Sequence, residues 1–428
     1  KGRYIPLFEK NTGKGSTVTT EPGSLEAQME SMPTIVVVPF KNMDSNERVH
    51  VICSVLCEDL SVELSRAKEL KVLSYDSGEV AEENFSSGKN VPALSGADYV
   101  IGGSCFLEDK HLKINIKLRQ TSVNQLLWAE TLRIENFEEN HLSGYREVVK
   151  KVIAMTCGYF GIVYRSTINA HVPQDYDILY SIYWHNKFHR NFSFDGFKET
   201  QKALDKALVI NPGNALLMTL KAEVILNLCA MDAEQDADCY TKGSNLVKKA
   251  VSVDPTHQHA WQVYTWARIL EKNKSESIRT AEKCLSINPG NAMYMGAIGF
   301  GYQCVGEYEK GVKLMLEAIE LNPHYPWVTN LGLALYYFHK NNFKEALVWA
   351  ELINRPGLLW DPLIRASAYG FLNKSEEASQ AIKDLFILSP AFQDRAVYIV
   401  DRFIFDKELQ RTILEGLSLA GIDISPTS

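Results

Sequence analysis

Between residues 33 and 170, apolar positions switch between the spacing of strands and the spacing of helices. The continuous apolar run at 35–38 is typical of a strand buried on both faces. Within 111–120 every second residue is apolar, which predicts a strand with one solvated face. The pattern as a whole predicts a small α/β domain over 33–170. Its other elements are predicted strands at 71–74, 98–107 and 125–134, and predicted helices at 47–66 and 141–164.

From residue 171 onward the strand-like alternation ends, and a phrase that closes on proline, usually after Asn or Asp, recurs. Successive prolines are 43, 34, 34, 33 and 34 residues apart. Proline ends a helix because it lacks the backbone N–H and forces the preceding residue out of the α conformation. A 34-residue period is the tetratricopeptide length, so we predict helix pairs stacked into a superhelix over 171–428. The fold class is therefore α+β multidomain. The prolines are Pro212, Pro255, Pro289, Pro323, Pro356 and Pro390.

Two irregularities interrupt this period. The first interval exceeds one repeat by nine residues, and we place the surplus in the polar stretch Ala230–Cys239 between two helices. The repeat over about 325–356 has two additional residues between Gly332 and Ala346, which predicts a longer first helix in that repeat.

Charge and composition narrow the function classes. The 428 residues carry a formal net charge of −7 and a pI near 5.9, which argues against this segment gripping a phosphate backbone. The eight cysteines are scattered through apolar runs, which favours a reducing, cytoplasmic location. Since no apolar run approaches the ~20 residues of a membrane helix, we expect no membrane insertion.

The first 32 residues are rich in Gly, Ser, Thr and Glu, which is typical of a linker. A short apolar patch at Tyr4–Phe8 is either the last strand of an upstream domain or a segment that packs on the residues after it. Because the chain begins with Lys1 and not with Met, we expect it to be part of a longer protein.

Patterns that could carry metal binding or phosphate binding are sparse. His185 and His189 stand one helical turn apart, as two ligands of one metal would, but no third ligand is apparent and structural histidines are expected. Cys53 and Cys57 share that spacing on an apolar helix and are expected to be buried, inert thiols. The glycines of Gly299–Gly301 follow no strand, which favours helix packing over phosphate binding.

An acidic cluster after residue 230 lacks the Gly and the Glu of a calcium-binding loop, so we expect a solvated loop. The sequence contains no Gly-x-Ser-x-Gly, His-Glu-x-x-His or Gly-Lys-Ser/Thr motif. We therefore expect no catalytic residue, no metal and no cofactor. The members of the acidic cluster are Asp232, Glu234, Asp236 and Asp238.

Binding is the better supported role. In stacked helix pairs the first helix of each pair faces the inner surface, and its inward positions can be counted from the repeat period. Here they are aromatic or uncharged, which suits an apolar or amphipathic segment, including a flank of this chain, better than an acidic tail. Alternatively, Trp266 and Phe300 merely fill seams between helices. The predicted inner-surface residues are His259, Gln262, Trp266, Phe300, Gln303, Tyr336 and Tyr337.

Several phrases resemble one known arrangement over about residues 33–422. IVVVPFKNM, CEDLSVELSR, LKVLSYDS and ADYVIGGSCFLEDKHLKINIKLRQTSVNQLLWAETL resemble the TolB-type amino-terminal domain. DYDILYSIYWHNKFHRNFSFDGFKETQKALDKALVINPGNA resembles the first repeat that follows it, and LQRTILEGLSLAGI resembles the usual carboxy-terminal ending. Such modules are similar to those of HilA- and CadC-like transcription regulators, which carry an upstream winged helix, and of bacterial class III adenylate cyclases. KGRYIPLF looks like the end of a wing hairpin, which favours the transcription regulator.

Three functions follow from this resemblance and from the repeats. The first is a sensory and interaction module that modulates an upstream DNA-binding domain, so that DNA is contacted only through that domain. The second is the same module attached to an adenylate cyclase, and the third is a free-standing repeat scaffold. The expected partner is a protein or peptide, the chain's own upstream domain or a second copy of the chain, with the α/β domain as a receiver for a small-molecule effector.

Overall fold

The computed structural model describes residues 32–44, 46–75, 96–170, 178–191, 194–231 and 238–424. Within them the chain forms six strands, with one helix between the second and the third, and then a long series of helices. Nearly all of the predicted linker lies outside the described residues, as do the first three members of the acidic cluster.

The strands form one mixed sheet in the order β3-β1-β4-β5-β6, with β2 beside β4. Strand β1 runs parallel to β3 and to β4, whereas β4, β5 and β6 form two antiparallel hairpins. Asp109 and Asn124, at the hairpin turns, have φ angles of 55° and 49°, which short polar side chains tolerate. The strands are Thr34–Val37 (β1), Lys41–Asn42 (β2), Lys71–Leu73 (β3), Tyr99–Glu108 (β4), His111–Gln120 (β5) and Gln125–Ile134 (β6). The short β2 was not predicted.

One face of the sheet is covered by helices α1 (Glu47–Leu64) and α2 (Phe137–Thr156). The alternation predicted in β5 is confirmed, because its apolar side chains are fully buried against these helices. The side chain of Asn46 caps α1 by accepting the N–H of Arg48. The buried positions of β5 are Leu112, Ile114, Ile116 and Leu118.

The single helix predicted at 141–164 is wrong. The structure has two helices here, α2 and α3 (Ile162–Ala170), separated by residues 157–161. Gly158 has a φ of +78°, a left-handed conformation that a right-handed helix cannot contain. Its N–H donates to Glu69 Oε1 at 2.6 Å. The apolar periodicity continues across this break, so the hydrophobic pattern alone did not indicate it.

The remaining helices form antiparallel pairs, as the proline spacing predicted. Five second helices end two residues before a proline, for example at Ile210 before Pro212 and at Leu321 before Pro323. The helices are Ile178–Asn191 (α4), Phe194–Ile210 (α5), Ala215–Ala230 (α6), Cys239–Val253 (α7), Gln258–Leu270 (α8), Lys274–Ile287 (α9), Ala292–Cys304 (α10), Tyr308–Leu321 (α11), Val328–His339 (α12), Phe343–Glu351 (α13), Trp360–Phe371 (α14), Ser375–Leu388 (α15), Phe392–Asp401 (α16) and Lys407–Leu419 (α17).

The first irregularity lies between two helices, as predicted, but only part of its surplus is there, and the second differs from its prediction. The connection from α6 to α7 holds five of the nine surplus residues, while the other four lengthen these two helices relative to α8 and α9. Helix α12 has 12 residues against 13 in α10, so the longer first helix predicted there is wrong. Pro326 disfavours a helical conformation at the residue before it, and α12 begins at Val328.

Cys229 and Cys239 are joined in a disulfide across the α6–α7 connection, with their Cα atoms 6.2 Å apart. This pairing was not predicted, because the cysteines are scattered along the sequence. Its members are ten residues apart, on the facing ends of two antiparallel helices. The other six cysteines are free thiols.

The α/β domain packs directly on the repeats. Lys150 Nζ on α2 lies 3.2 Å from Glu317 Oε1 on α11, and Asn322 Nδ2 donates to the Ala154 carbonyl oxygen at 2.7 Å. The domain boundary predicted near residue 170 falls beside the undescribed stretch 171–177 and stays a prediction. Within the described ranges, no helix is both long enough and apolar enough to cross a membrane.

The packing of α10 against α11 gives a stability prediction. A Cβ atom at Gly311 would lie 2.7 Å from the Gly299 carbonyl oxygen and would also collide with the Gln303 amide. Because such overpacking costs about 1–3 kcal/mol, Gly311→Ala should lower the melting temperature measured by circular dichroism. Gly213→Ala is the matched control, since a Cβ there would meet nothing within 4 Å. Equal melting temperatures for the two variants would contradict this packing.

Candidate functional site

A cavity of about 110 Å³ lies on the inner surface of the repeats. Its walls come from the first helices of successive pairs, which confirms that these helices face inward. Two further segments complete it, namely Tyr159–Phe160 from the α2–α3 connection and Phe403 from the α16–α17 connection. One wall is polar and the other is aromatic, as is common in sites that orient a small ligand.

Four side chains from three successive first helices meet at the polar wall. His185 and His189 lie on α4, Glu223 on α6 and His259 on α8. The Nε2 atoms of His185 and His259 each lie 2.9 Å from Glu223 Oε2. His189 Nε2 lies 3.7 Å from Glu223 Oε1. The carboxylate is thus surrounded by three imidazoles.

Tyr159 extends this network from the α2–α3 connection, with its hydroxyl 3.3 Å from His259 Nδ1. A carboxylate only accepts hydrogen bonds, so the Nε2 of His259 must carry the hydrogen that faces Glu223. In the neutral ring Nδ1 is then the acceptor, and the Tyr159 hydroxyl donates to it. The α2–α3 connection of the α/β domain is therefore hydrogen-bonded, through one imidazole, to the buried carboxylate of the repeats.

Burial sets the protonation states of the cluster. Desolvation lowers the pKa of His189 to about 3 and also lowers the pKa of His185, although Glu223 opposes both shifts. Desolvation would raise the pKa of Glu223, but His189, His259 and the hydrogen bond from His185 outweigh it and hold that pKa well below its usual value. At neutral pH the site therefore combines an ionised carboxylate with neutral His185 and His189.

The aromatic wall is held together by Phe403. Its ring centroid lies 5.4 Å from that of Trp266, 5.7 Å from that of Phe300 and 4.6 Å from that of Trp360. The segment that carries Phe403 is anchored by backbone contacts, because the N–H of Phe405 donates to the Cys304 carbonyl oxygen at 2.9 Å. A carboxy-terminal segment of the chain thus lies against the inner surface of the repeats.

The predicted inner-surface residues divide into three groups. Gln262, Trp266 and Phe300 line the cavity, and His259 is fully buried behind Glu223. Gln303 does not line it, which corrects the prediction, because its side chain is buried between α10 and α11 and donates to the Tyr308 carbonyl oxygen at 3.0 Å.

Tyr336 and Tyr337 are not among the residues that line this cavity, and their place on the inner surface stays a prediction. The Tyr336 hydroxyl lies 3.5 Å from Glu309 Oε1 on α11. From this repeat, Trp327, Val328 and Leu331 line the cavity.

Glu223 was missed, and the expectation that the histidine pair has no third candidate ligand is wrong. The carboxylate is 38 residues from His185, on the next first helix, so no local motif joins them. The repeat count could have found it, because Glu223 is the ninth residue from Ala215, just as Trp266 is the ninth from Gln258.

The other sequence hypotheses have simple outcomes. Gly299–Gly301 lies within α10 and packs against α11 and α8, as predicted. Cys53 is buried, as predicted, whereas Cys57 is only partly buried; burial nonetheless raises the pKa of Cys57 to about 11, so this thiol is not activated.

Comparisons with known proteins give limited guidance. No family model matches the chain. A putative adenylate cyclase 3 from Rhizobium meliloti (strain 1021) is 22% identical over 266 residues, which is 59% of this chain. The chain spans 44% of that relative, less than half of its length.

Among solved structures, a monomeric IFIT1 mutant with Gppp-AAAA is 12% identical, with 68% of this chain and 66% of that chain covered and a TM-score of 0.45. The Cut9–Hcn1 heterotetramer of the APC/C is 14% identical over 68% of this chain and 63% of that chain, with a TM-score of 0.41. A tetratricopeptide repeat protein from Parabacteroides merdae is 16% identical over 66% of this chain and 98% of that one, with a TM-score of 0.37.

The helix that carries His259 gives a pH prediction. His257 Nδ1 caps α8 by accepting the N–H of Ala260, and desolvation, followed by the charge of His259, lowers the pKa of His257 to about 3. The folded state binds a proton at His257 less readily than the unfolded state does. The resulting contribution to the free energy of unfolding is therefore complete above pH ~6.5 and is lost as the pH falls, by up to about 2 kcal/mol at pH 5.

His257→Asn keeps a capping acceptor but does not titrate. Its melting temperature should therefore fall less between pH 7 and pH 5 than that of the wild type. His50→Asn, on the exposed face of α1, should behave as the wild type does. Parallel pH curves for all three proteins would rule out His257 as a source of acid sensitivity.

Proposed function

We propose that this chain is a non-catalytic regulatory and protein-interaction module of a bacterial signalling protein, in a cytoplasmic setting. The observation that carries the proposal is the occupation of the inner repeat surface by two of the chain's own segments, at Tyr159–Phe160 and Phe403. The inner surface of a helical repeat array is a common site for peptides and partner helices. An internal occupant of this kind supports regulation in which a partner displaces these segments or shifts their position.

The aromatic contacts favour one version of the sequence hypothesis. Trp266 and Phe300 were expected to hold an apolar segment or to fill a seam, and the segment they contact is the chain's own carboxy-terminal flank. A partner protein or peptide would compete with Phe403, while a small-molecule effector would enter the cavity beside it.

The α/β domain is coupled to the same surface. Tyr159 follows α2 directly, and the hydroxyl of Tyr159 reaches His259 on the repeats. We therefore propose that a change at the α/β domain is transmitted through the α2–α3 connection to the inner surface. The resemblance of the α/β domain to the TolB-type domain is the reason to regard it as the receiver.

The output has two candidates. The Rhizobium relative is named as a putative adenylate cyclase and supports a role as the regulatory module of a class III adenylate cyclase. The wing-like phrase KGRYIPLF supports a winged-helix transcription regulator instead. Assays of the natural full-length protein for conversion of ATP to cyclic AMP and for DNA binding distinguish them, and a protein with neither activity would leave the free-standing scaffold.

The intrachain occupant gives a direct prediction. Phe403 is 3% exposed, so Phe403→Ala should weaken the packing of the α16–α17 connection on the inner surface by about 3–5 kcal/mol. Hydrogen–deuterium exchange should rise at residues 401–405 and at the inner faces of α8 and α10, and the output activity of the full-length protein should change several-fold. Trp266→Ala together with Phe300→Ala should reproduce both effects from the opposite side.

Leu419→Ala is the matched control, because this side chain on α17 is 58% exposed. It should change neither exchange nor activity. If Phe403→Ala opens the segment in the exchange experiment but leaves cyclase activity and DNA binding unchanged, the regulatory proposal fails.

A further inference from the structure

We propose that His185, His189 and Glu223 form a binding site for one divalent transition-metal ion, of the class represented by Zn²⁺, with an open coordination position that faces the inner cavity. The site goes beyond the proposed regulatory function, because it requires neither a cyclase nor a DNA-binding domain.

The geometry of the three side chains suits one ion. His185 and His189 are one turn apart on α4, and Glu223 approaches them from α6, so that one ligand atom from each lies within 4.8 Å of the others. In a tetrahedral zinc site with bonds of about 2.0–2.1 Å the ligand atoms lie roughly 3.4 Å apart. His185 Nε2 lies 2.9 Å from Glu223 Oε2, and His189 Nε2 lies 3.7 Å from Glu223 Oε1, so the carboxylate is within side-chain rotation of such a site with both imidazoles.

The charge distribution also calls for a cation. The side chains of His185, His189 and Glu223 are only 3%, 14% and 12% exposed. A carboxylate buried among imidazoles has lost its hydration and depends on those imidazoles for its stabilisation. A divalent ion would replace the hydrogen bond between His185 and Glu223 with two stronger bonds and would neutralise the buried charge.

A second layer already orients the carboxylate. His259 donates to Glu223 Oε2, and Tyr159 donates to the other nitrogen of His259. Hydrogen-bonded chains of this kind fix the ligands of metal sites and raise their affinity. Oε2 can keep its bond to His259 while Oε1, on the side of His189, binds the ion.

The donor set selects the class of ion. Two imidazoles and one carboxylate suit Zn²⁺, Fe²⁺, Co²⁺ or Ni²⁺, whereas Mg²⁺ and Ca²⁺ prefer oxygen ligands throughout. Three protein ligands leave a tetrahedral ion one position short, and the three side chains border the cavity. A water molecule or a donor atom of a small ligand can occupy that position.

The test uses the 428-residue chain without a histidine tag, freed of metal with a chelator and dialysed. Co²⁺ is titrated while its visible absorption is recorded, and Zn²⁺ is then used to displace it. We expect one equivalent of Co²⁺ per chain with the spectrum of a four- or five-coordinate ion, and displacement by one equivalent of Zn²⁺.

Variants separate this site from other donors. His189→Gln and Glu223→Gln should each weaken Co²⁺ binding by at least 100-fold, and His259→Gln should weaken it by about 10–100-fold. His50→Gln, which removes an exposed histidine of α1, should bind as the wild type does. Circular dichroism melts confirm that each variant is folded.

One substitution keeps the ligand count. His189→Cys should still bind Co²⁺ and should add an intense near-ultraviolet thiolate-to-cobalt band, which appears only if residue 189 coordinates the ion. The proposal is overturned if the folded wild type shows no stoichiometric Co²⁺ spectrum, or if folded His189→Gln binds as tightly as His50→Gln. The cluster would then be a network held by protons alone.

Discussion

The structure depends on covering the inner surface of a helical array. The first helices of the repeats present aromatic rings and a buried carboxylate to that surface. Exposed rings would lose the free energy of burial, and the carboxylate would be destabilised without hydrogen-bond donors. The chain covers the rings with Phe403 and satisfies the carboxylate with imidazoles from two neighbouring helices. The α2–α3 connection and the α16–α17 connection thus both reach the inner surface of the array.

These contacts tie the α/β domain to the repeats. The α2–α3 connection is fixed at one side by Glu69, whose buried carboxylate accepts the N–H of Gly158, and at the other by the bond between Tyr159 and His259. Desolvation raises the pKa of Glu69, and the hydrogen bonds to its own backbone N–H and to Gly158 limit that rise. The connection therefore cannot shift without disturbing a polar group in each domain, which is the physical basis for coupling between them.

Much of the fold could be predicted from the sequence, because its main signals are local. Alternation in β5 and prolines after α5, α7, α9 and α11 report conformations that their own residues impose. The errors arose where a distant contact or a single backbone conformation decided the outcome. The break at Gly158 follows from a left-handed φ at the domain interface, and the disulfide at Cys229 follows from the facing ends of two helices. The longer first helix predicted from the spacing between Gly332 and Ala346 was wrong, since α12 begins only at Val328.

The candidate site was harder to predict because its residues converge through the superhelix. His185, Glu223 and His259 are separated by 38 and 36 residues, close to one repeat each, and each lies on a first helix. The repeat period therefore places all three on first helices that face the same inner surface, although every interval exceeds the range of a local motif. In a repeat protein, a catalogue of inward positions taken over all repeats is thus a better search for sites than a scan for short motifs. Applied from α4 onward, that count places His185, His189, Glu223 and His259 on a common surface. A polar cluster among aromatic rings on such a surface indicates either a bound ligand or a network of hydrogen bonds.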